Sequence, residues 1–159
     1  MRLKHIQTSG FKSFVDPLKI NFDSNLTGVV GPNGCGKSNV VDAIKWVLGE
    51  SSAKQVRGDT MTDVIFNGTE TRKRMSFCSV EMVFDNTHNK IQGMWGRYDE
   101  ISIKRTLNRD SESNYFINNQ NVRKRDVTDI FYGTGLGPRG YSIIEQGTIG
   151  RLVDARPEE

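Results

Sequence analysis

Cysteine and histidine are scarce in this sequence of 159 residues, with two of each, and proline occurs only four times. Cys35 and Cys78 lack C-x-x-C spacing and are too few for a disulfide framework, so a reducing cytosol fits best. His5 and His88 are isolated. With no clustered Cys, His or carboxylates, the sequence argues against a metal site made by protein alone. No apolar run approaches the ~20 residues that a membrane span needs. Residues 1–10 are polar from the start and have no signal-peptide core. An excess of one charge is also missing: 22 Lys and Arg against 19 Asp and Glu leave +3. That balance permits a phosphate or nucleic-acid partner without demanding one. Repeats and low-complexity tracts are absent.

What remains is 35% hydrophobic and 26% charged, the composition of a soluble globular chain one domain long. Residues 18–22 and 26–30 are short apolar stretches that predict strands, with Asp23-Ser24-Asn25 as the turn between them. From Lys37, apolar residues at Val40, Val41, Ile44, Val47 and Leu48 predict one helical face, with Gly49 as its stop. The middle of the chain predicts β-structure. Cys78, Val80, Met82 and Phe84 share a face at period two, and Ile101, Ile103 and Leu107 continue the pattern. Tyr115-Phe116-Ile117 and Val122 flank Asn118-Asn119-Gln120-Asn121, where asparagine tolerates the positive φ of a tight hairpin turn. Residues 86–98 are polar and read as a mobile loop. A helical pattern runs from Arg123 to about Phe131, followed by a glycine cluster at 133–140.

The strongest signal is Gly31-Pro32-Asn33-Gly34-Cys35-Gly36-Lys37-Ser38, which fits G-x-x-x-x-G-K-[ST]. Glycines let successive N–H groups turn inward as a concave cradle for phosphate oxygens. The helix that starts near Lys37 adds its unpaired N–H groups and positive dipole end. Lys37 is placed to bridge β- and γ-phosphates, and the Ser38 hydroxyl to ligate Mg²⁺. A strand–helix turn that merely needs glycine does not explain Lys37-Ser38, so the loop is read as binding a nucleoside triphosphate.

Two other stretches imitate motifs. Gly135-Leu136-Gly137-Pro138-Arg139-Gly140 spells a dinucleotide fingerprint, but Pro138 falls where the helix should open and no clear strand precedes it. Met82-Val83-Phe84-Asp85 resembles an apolar strand ending in a Walker B aspartate. Asn86 stands where a catalytic glutamate would follow, so it is read as an ordinary strand end.

Together with the loop, Phe11-Lys12-Ser13-Phe14, the block Asp42-Ala43-Ile44-Lys45-Trp46-Val47-Leu48-Gly49-Glu50, Arg57-Gly58 and Gly140-Tyr141-Ser142-Ile143-Ile144-Glu145-Gln146-Gly147 resemble one family. It is the structural maintenance of chromosomes (SMC) proteins, the bacterial members most closely, and the resemblance runs over essentially the whole chain. It implies an α/β fold: a P-loop NTPase of the ABC-ATPase head type, with residues 1–159 as an N-terminal lobe carrying an antiparallel β-subdomain. The C-terminal lobe, coiled coil and hinge are expected elsewhere, because the chain has no Leu-Ser-Gly-Gly signature and no Walker B Asp-Glu pair.

The resemblance also implies roles. Lys12 and Ser13 would contact the nucleotide from the end of the first strand. Asn33, Gly34 and Gly36 would line the phosphates, within a binding stretch that also takes in Pro32, Cys35, Lys37, Ser38 and Asn39. Gln146 matches a glutamine that ligates Mg²⁺ beside Ser38 and helps place the attacking water. Arg57 matches an arginine that approaches the nucleotide and is linked to DNA-stimulated turnover. Lys37, Gln146 and Arg57 are thus the catalytic candidates. Arg72-Lys73-Arg74 and Arg123-Lys124-Arg125 are candidate contacts to the phosphate backbone of DNA, without sequence preference; a solvated charged face is the alternative.

The implied cofactors are ATP and Mg²⁺. The implied partners are the C-terminal lobe of the same protein, a second head, a kleisin with its accessory subunit, and DNA, in the cytoplasm at the nucleoid and not at a membrane. The implied function is the ATP-binding half of a head ATPase in chromosome condensation and segregation. The alternative is the head of a coiled-coil ATPase of double-strand-break repair. A self-sufficient small P-loop enzyme would need its own Mg²⁺-holding acid and lid. A purely structural DNA-binding module would leave the glycine-rich loop unexplained.

Overall fold

Alternating inward and outward side chains build one antiparallel sheet, described here from a computed structural model that covers residues 1–88, 91, 93–132 and 143–144. Its strands are β1 (Arg2–Ser9), β2 (Leu18–Asn21), β3 (Phe77–Asp85), β4 (Glu100–Asn108), β5 (Ser113–Ile117) and β6 (Gln120–Val122), in the order β2-β1-β3-β4-β5-β6. The longest pairing runs unbroken from Phe77 opposite Asn108 to Asp85 opposite Glu100. At period two this register puts Cys78, Val80, Met82 and Phe84 beside Ile101, Ile103 and Leu107 on one face, all buried. Helix α1 (Lys37–Val47) packs on β3 and β4, and helix α2 (Lys124–Ile130) on β5. Full burial of one such aliphatic side chain contributes about 1.5–3 kcal/mol. The cluster joining Ile6, Trp46, Ile103, Ile117 and Phe131 is therefore what seats α1 on the sheet. Among the described residues, no helix is long and apolar enough to cross a membrane.

The structure departs from the sequence pattern in four places. Residues 26–30 do not form a strand. Among the described residues no neighbour pairs with them, and an unpaired strand cannot satisfy its backbone groups, so Leu26 and Val30 stand 89% and 92% exposed. Conversely, β1 is a strand that its own polar sequence does not announce. It is held between β2 and β3, with only Ile6 and Thr8 fully turned to the core, a case of tertiary pairing overriding local pattern.

On α1 the buried face includes Asp42, Lys45 and Trp46, while Val41 is exposed. The apolar periodicity missed this because polar residues occupy part of the inward stripe. Finally, the stretch 86–98 is pinned where it is described, by a wholly buried Asn86. Its amide donates to the carbonyls of Tyr98 (2.9 Å) and Gly96 (3.3 Å), above a short 3-10 turn (Gly93–Arg97) that buries Trp95.

Two other readings hold. Asn118 and Asn119 take φ 47° and 64° in the two-residue turn between β5 and β6, as a tight hairpin requires. Asp85 closes β3 and accepts the Thr87 N–H at 2.8 Å, as an ordinary strand end.

The end of α1 is fastened by a buried cation. Arg105 lies between the rings of Trp46 (4.5 Å) and Tyr115 (4.9 Å). It donates to the carbonyls of Trp46 (2.8 Å) and Glu50 (2.7 Å). Carbonyls at a helix C-terminus lack intrahelical donors and carry the negative end of the dipole. Arg105 thus fixes the axis of α1, and with it the position of the loop at the opposite end.

Candidate phosphate-binding site

The loop preceding α1 has two glycines that no other residue replaces without strain. Gly34 and Gly36 adopt φ 82° and 87°, and a Cβ on Gly36 would stand 3.0 Å from the Ser13 hydroxyl. Gly36 caps α1 without a side chain, so its first turn keeps N–H groups free of a side-chain cap and open to an anion. A cleft of about 190 Å³ opens there, lined by Asn33, Gly34, Gly36, Lys37, Ser38, Asn39 and Arg57. Pro32 and Cys35 belong to the loop but do not line the cleft. The Lys37 ammonium folds back over the loop, donating to the carbonyls of Pro32 (2.8 Å) and Gly31.

The Phe11-Lys12-Ser13-Phe14 block explains itself in this setting. Phe11 is wholly buried and packs against Trp46 of α1, ring centroids 5.4 Å apart. Reciprocal backbone bonds between Phe11 and Phe14 (3.1 and 2.8 Å) close a tight turn with Lys12 and Ser13 at its tip. The phenylalanines anchor, and the two polar residues are presented to α1. The Ser13 hydroxyl accepts a bond from the Asn39 amide at 2.8 Å. Lys12 does not line the cleft: its ammonium donates to Asp42 and to the Val56 carbonyl. In this structure the Lys12 ammonium is held in a buried ion pair with Asp42.

Arg57 follows a short 3-10 turn (Lys54–Val56) and has φ 56°. Its guanidinium donates to Asn39 Oδ1 (2.8 Å) and to Asp42 Oδ2 (2.6 and 3.0 Å) while forming one wall of the cleft. Asp42 is the residue that sequence reasoning missed. The available signal was its spacing, three residues after Asn39 and four after Ser38, which puts all three on one helical face.

The chemistry of the cleft is that of a cation-rimmed phosphate seat. Among the described residues, no group of three His, Cys, Asp or Glu could hold a metal ion. A single hydroxyl such as Ser38 does suit Mg²⁺, which keeps waters and phosphate oxygens as its remaining ligands. Gln146 and the 135–140 fingerprint lie outside the described residues.

The basic triplets sit away from the cleft and carry local partners. Arg72 makes two bonds to Asp16 (2.7 and 2.8 Å). Arg123 pairs with Asp126 (3.1 Å), Arg125 with Asp129 (3.6 Å), and Lys124 donates to Ser51. Lys73 and Arg74 are exposed.

Comparison with known proteins gives consistent matches. The RecF/RecN/SMC N terminal domain family matches residues 2–142. A chromosome partition protein Smc of Thauera aminoaromatica is 60% identical over 159 residues, all of this chain and 13% of that protein. A solved structure described as "Structural biochemistry of ATP-driven dimerization and DNA stimulated activation of SMC ATPases" is 31% identical, with a TM-score of 0.90. The match covers 99% of this chain and 94% of that one. A crystal structure of an Smc head bound to the C-winged helix domain of ScpA is 32% identical with a TM-score of 0.92, covering 99% and 48%. The chain thus spans 13–14% of the length of the curated relatives it matches.

Proposed function

The chain belongs to the RecF/RecN/SMC N-terminal domain family and folds as the N-terminal lobe of an ABC-type head, and from that premise we propose that it is the ATP-binding lobe of a chromosome-segregation ATPase. The observation that carries this reading is the uncapped start of α1 set behind a two-glycine cradle, with Lys37, Ser38 and Arg57 around one cleft. The relatives bear chromosome-partition names, which favours this duty over double-strand-break repair.

In the proposed machine Lys37 would exchange its loop carbonyls for the phosphates, and the Ser38 hydroxyl and Gln146 would hold Mg²⁺. The metal supplies charge neutralisation at the phosphates. Residues 1–159 are one lobe, completed by a C-terminal lobe of the same protein, and two completed heads sandwich the nucleotides. A kleisin with its accessory subunit is the further partner, by likeness to the relative seen with ScpA, and the setting is the cytoplasm at the nucleoid.

Cys35 gives a direct test of occupancy. Its thiol is exposed in the loop, whereas Cys78 is buried and its thiol is pushed up to about 12 by that burial, so only Cys35 is open to a thiol reagent in the folded chain. Maleimide should label one thiol in the native chain and two after denaturation. Mg-ATP at ten times its Kd should slow labelling of Cys35 about tenfold. An unchanged rate shows that nucleotide does not cover the Cys35 thiol.

Sequence-independent DNA contact at Arg72, Lys73, Arg74, Arg123, Lys124 and Arg125 is also proposed. The pairing of Arg123 with Asp126 and of Arg125 with Asp129 means that phosphates must displace existing partners there. Replacing Arg123, Lys124 and Arg125 by Ala should lower affinity equally for unrelated duplexes and flatten the slope of log affinity against log salt by roughly 0.9 per lost contact. An unchanged slope leaves that triplet a solvated face.

A further inference from the structure

Two cations converge on one buried carboxylate beneath the cleft. Asp42 has a side chain only 3% exposed, and its Oδ2 receives Lys12 from one side and Arg57 from the other. The two cations differ in environment: the Lys12 side chain is 12% exposed, whereas that of Arg57 is 52% exposed and lines the cleft. Both hold left-handed backbone, φ 50° and 56°, which is uncommon for residues other than glycine and persists only where surroundings enforce it. For Lys12 that enforcement is visible: its N–H is bonded to the Val64 carbonyl at 2.7 Å, and its ammonium also reaches the Val56 carbonyl, next to Arg57 in the chain.

A buried carboxylate stripped of its partners is strongly destabilising. If Arg57 were the sole cation on Asp42, every movement of Arg57 toward a phosphate would leave an uncompensated charge under α1, and the guanidinium would stay where it is. With Lys12 already seated on the same oxygen, Asp42 remains neutralised when Arg57 departs. The two like charges on one oxygen also repel each other, which loosens the more exposed of the pair.

We propose that Lys12 is a positioning residue that never touches the nucleotide: it is the standing counter-ion of Asp42 that frees Arg57 to bind the phosphates. This rests on the reading of the cleft as a nucleoside-triphosphate site. The arrangement makes Arg57 a cation of two addresses, Asp42 and Asn39 in one state and phosphate oxygens in the other. Asn39 keeps its amide bond to Ser13 in this structure, so the turn at 12–13 has a second tie to α1 that does not depend on Arg57.

The test is a double-mutant cycle on ATP affinity, measured by calorimetry in the full chain, with melting temperature as the fold control. Loss of a charge-assisted phosphate contact in Arg57→Ala should weaken ATP binding about tenfold. Lys12→Met should give a comparable loss, and the double variant should be no weaker than either single one. Independent, multiplying losses would show that Lys12 contacts nucleotide by itself and would overturn the proposal, as would full affinity in Lys12→Met. Should Lys12→Met melt early, Asp42→Asn replaces it as background. With no buried charge to balance, adding Lys12→Met there should leave affinity unchanged, and a further loss refutes the proposal. Lys37→Ala separates the two levels: if it retains parental affinity, the cleft reading fails, whereas its loss together with an additive cycle rejects only the role of Lys12.

Discussion

Replacing Lys37 by alanine should abolish ATP binding and leave the fold intact. Lys37 is the first residue of α1, its ammonium lies over the loop, and it takes no part in the buried cluster. Alanine is the best helix former, so the helix should not suffer. Two charge-assisted bonds to phosphate are worth about 1.5–3 kcal/mol each, which at 1.4 kcal/mol per decade is roughly a hundred- to ten-thousandfold in affinity. The lower end applies here, because the parent lysine first has to release the carbonyls of Gly31 and Pro32. Calorimetry with Mg-ATP on both proteins, with circular dichroism to check the fold, decides the matter. Equal affinities would remove Lys37 from the phosphate site.

The parts of the fold that were legible in the sequence are those whose signal is local. The phosphate loop needs particular residues at fixed spacing. The hairpin turn needs positive φ, which Asn118 and Asn119 supply. β4 alternates cleanly because one face of it is buried, and β3 alternates likewise as far as Met82, beyond which Val83 is buried as well. What escaped depends on partners far along the chain. β1 is polar by composition and becomes a strand only between β2 and β3. Residues 26–30 have the apolar character of a strand and, among the described residues, no strand neighbour, so composition alone misreads them. Asp42 looks like a solvent-facing helical acid until Lys12 and Arg57, 30 residues before it and 15 after it, arrive at the same oxygen. Resemblance put Lys12 and Arg57 near one site, but only the geometry shows that they share a carboxylate.

The same partner dependence governs the last expectation, that this chain alone should hold ATP yet scarcely hydrolyse it. The cradle, Lys37, Ser38 and Arg57 surround one cleft, so phosphate has its seat. The sequence has no Walker B Asp-Glu pair at the end of an apolar strand to hold metal and activate water (Asp99-Glu100 stands at the start of β4, after polar residues), and no Leu-Ser-Gly-Gly signature to close over the γ-phosphate. Asp85 does not substitute: it ends β3 in a hollow with Met1, Arg2, Asn25 and His88, none of which belongs to the phosphate loop. A general base typically contributes 10²–10⁴-fold, and charge stabilisation at a transferring phosphoryl group is often of similar size. Without either, turnover should fall toward background. The exposed apolar stretch at Leu26, Val29 and Val30 should also make the isolated chain prone to association, as unpaired apolar strand segments are. Supplying a C-terminal lobe in trans should cover that stretch, restore solubility and raise phosphate release together. The assay is phosphate release by purified residues 1–159, with and without the lobe, against Lys37→Ala as the contamination control. Robust Lys37-dependent turnover by this chain alone would overturn the half-head reading and make the molecule a self-sufficient P-loop enzyme.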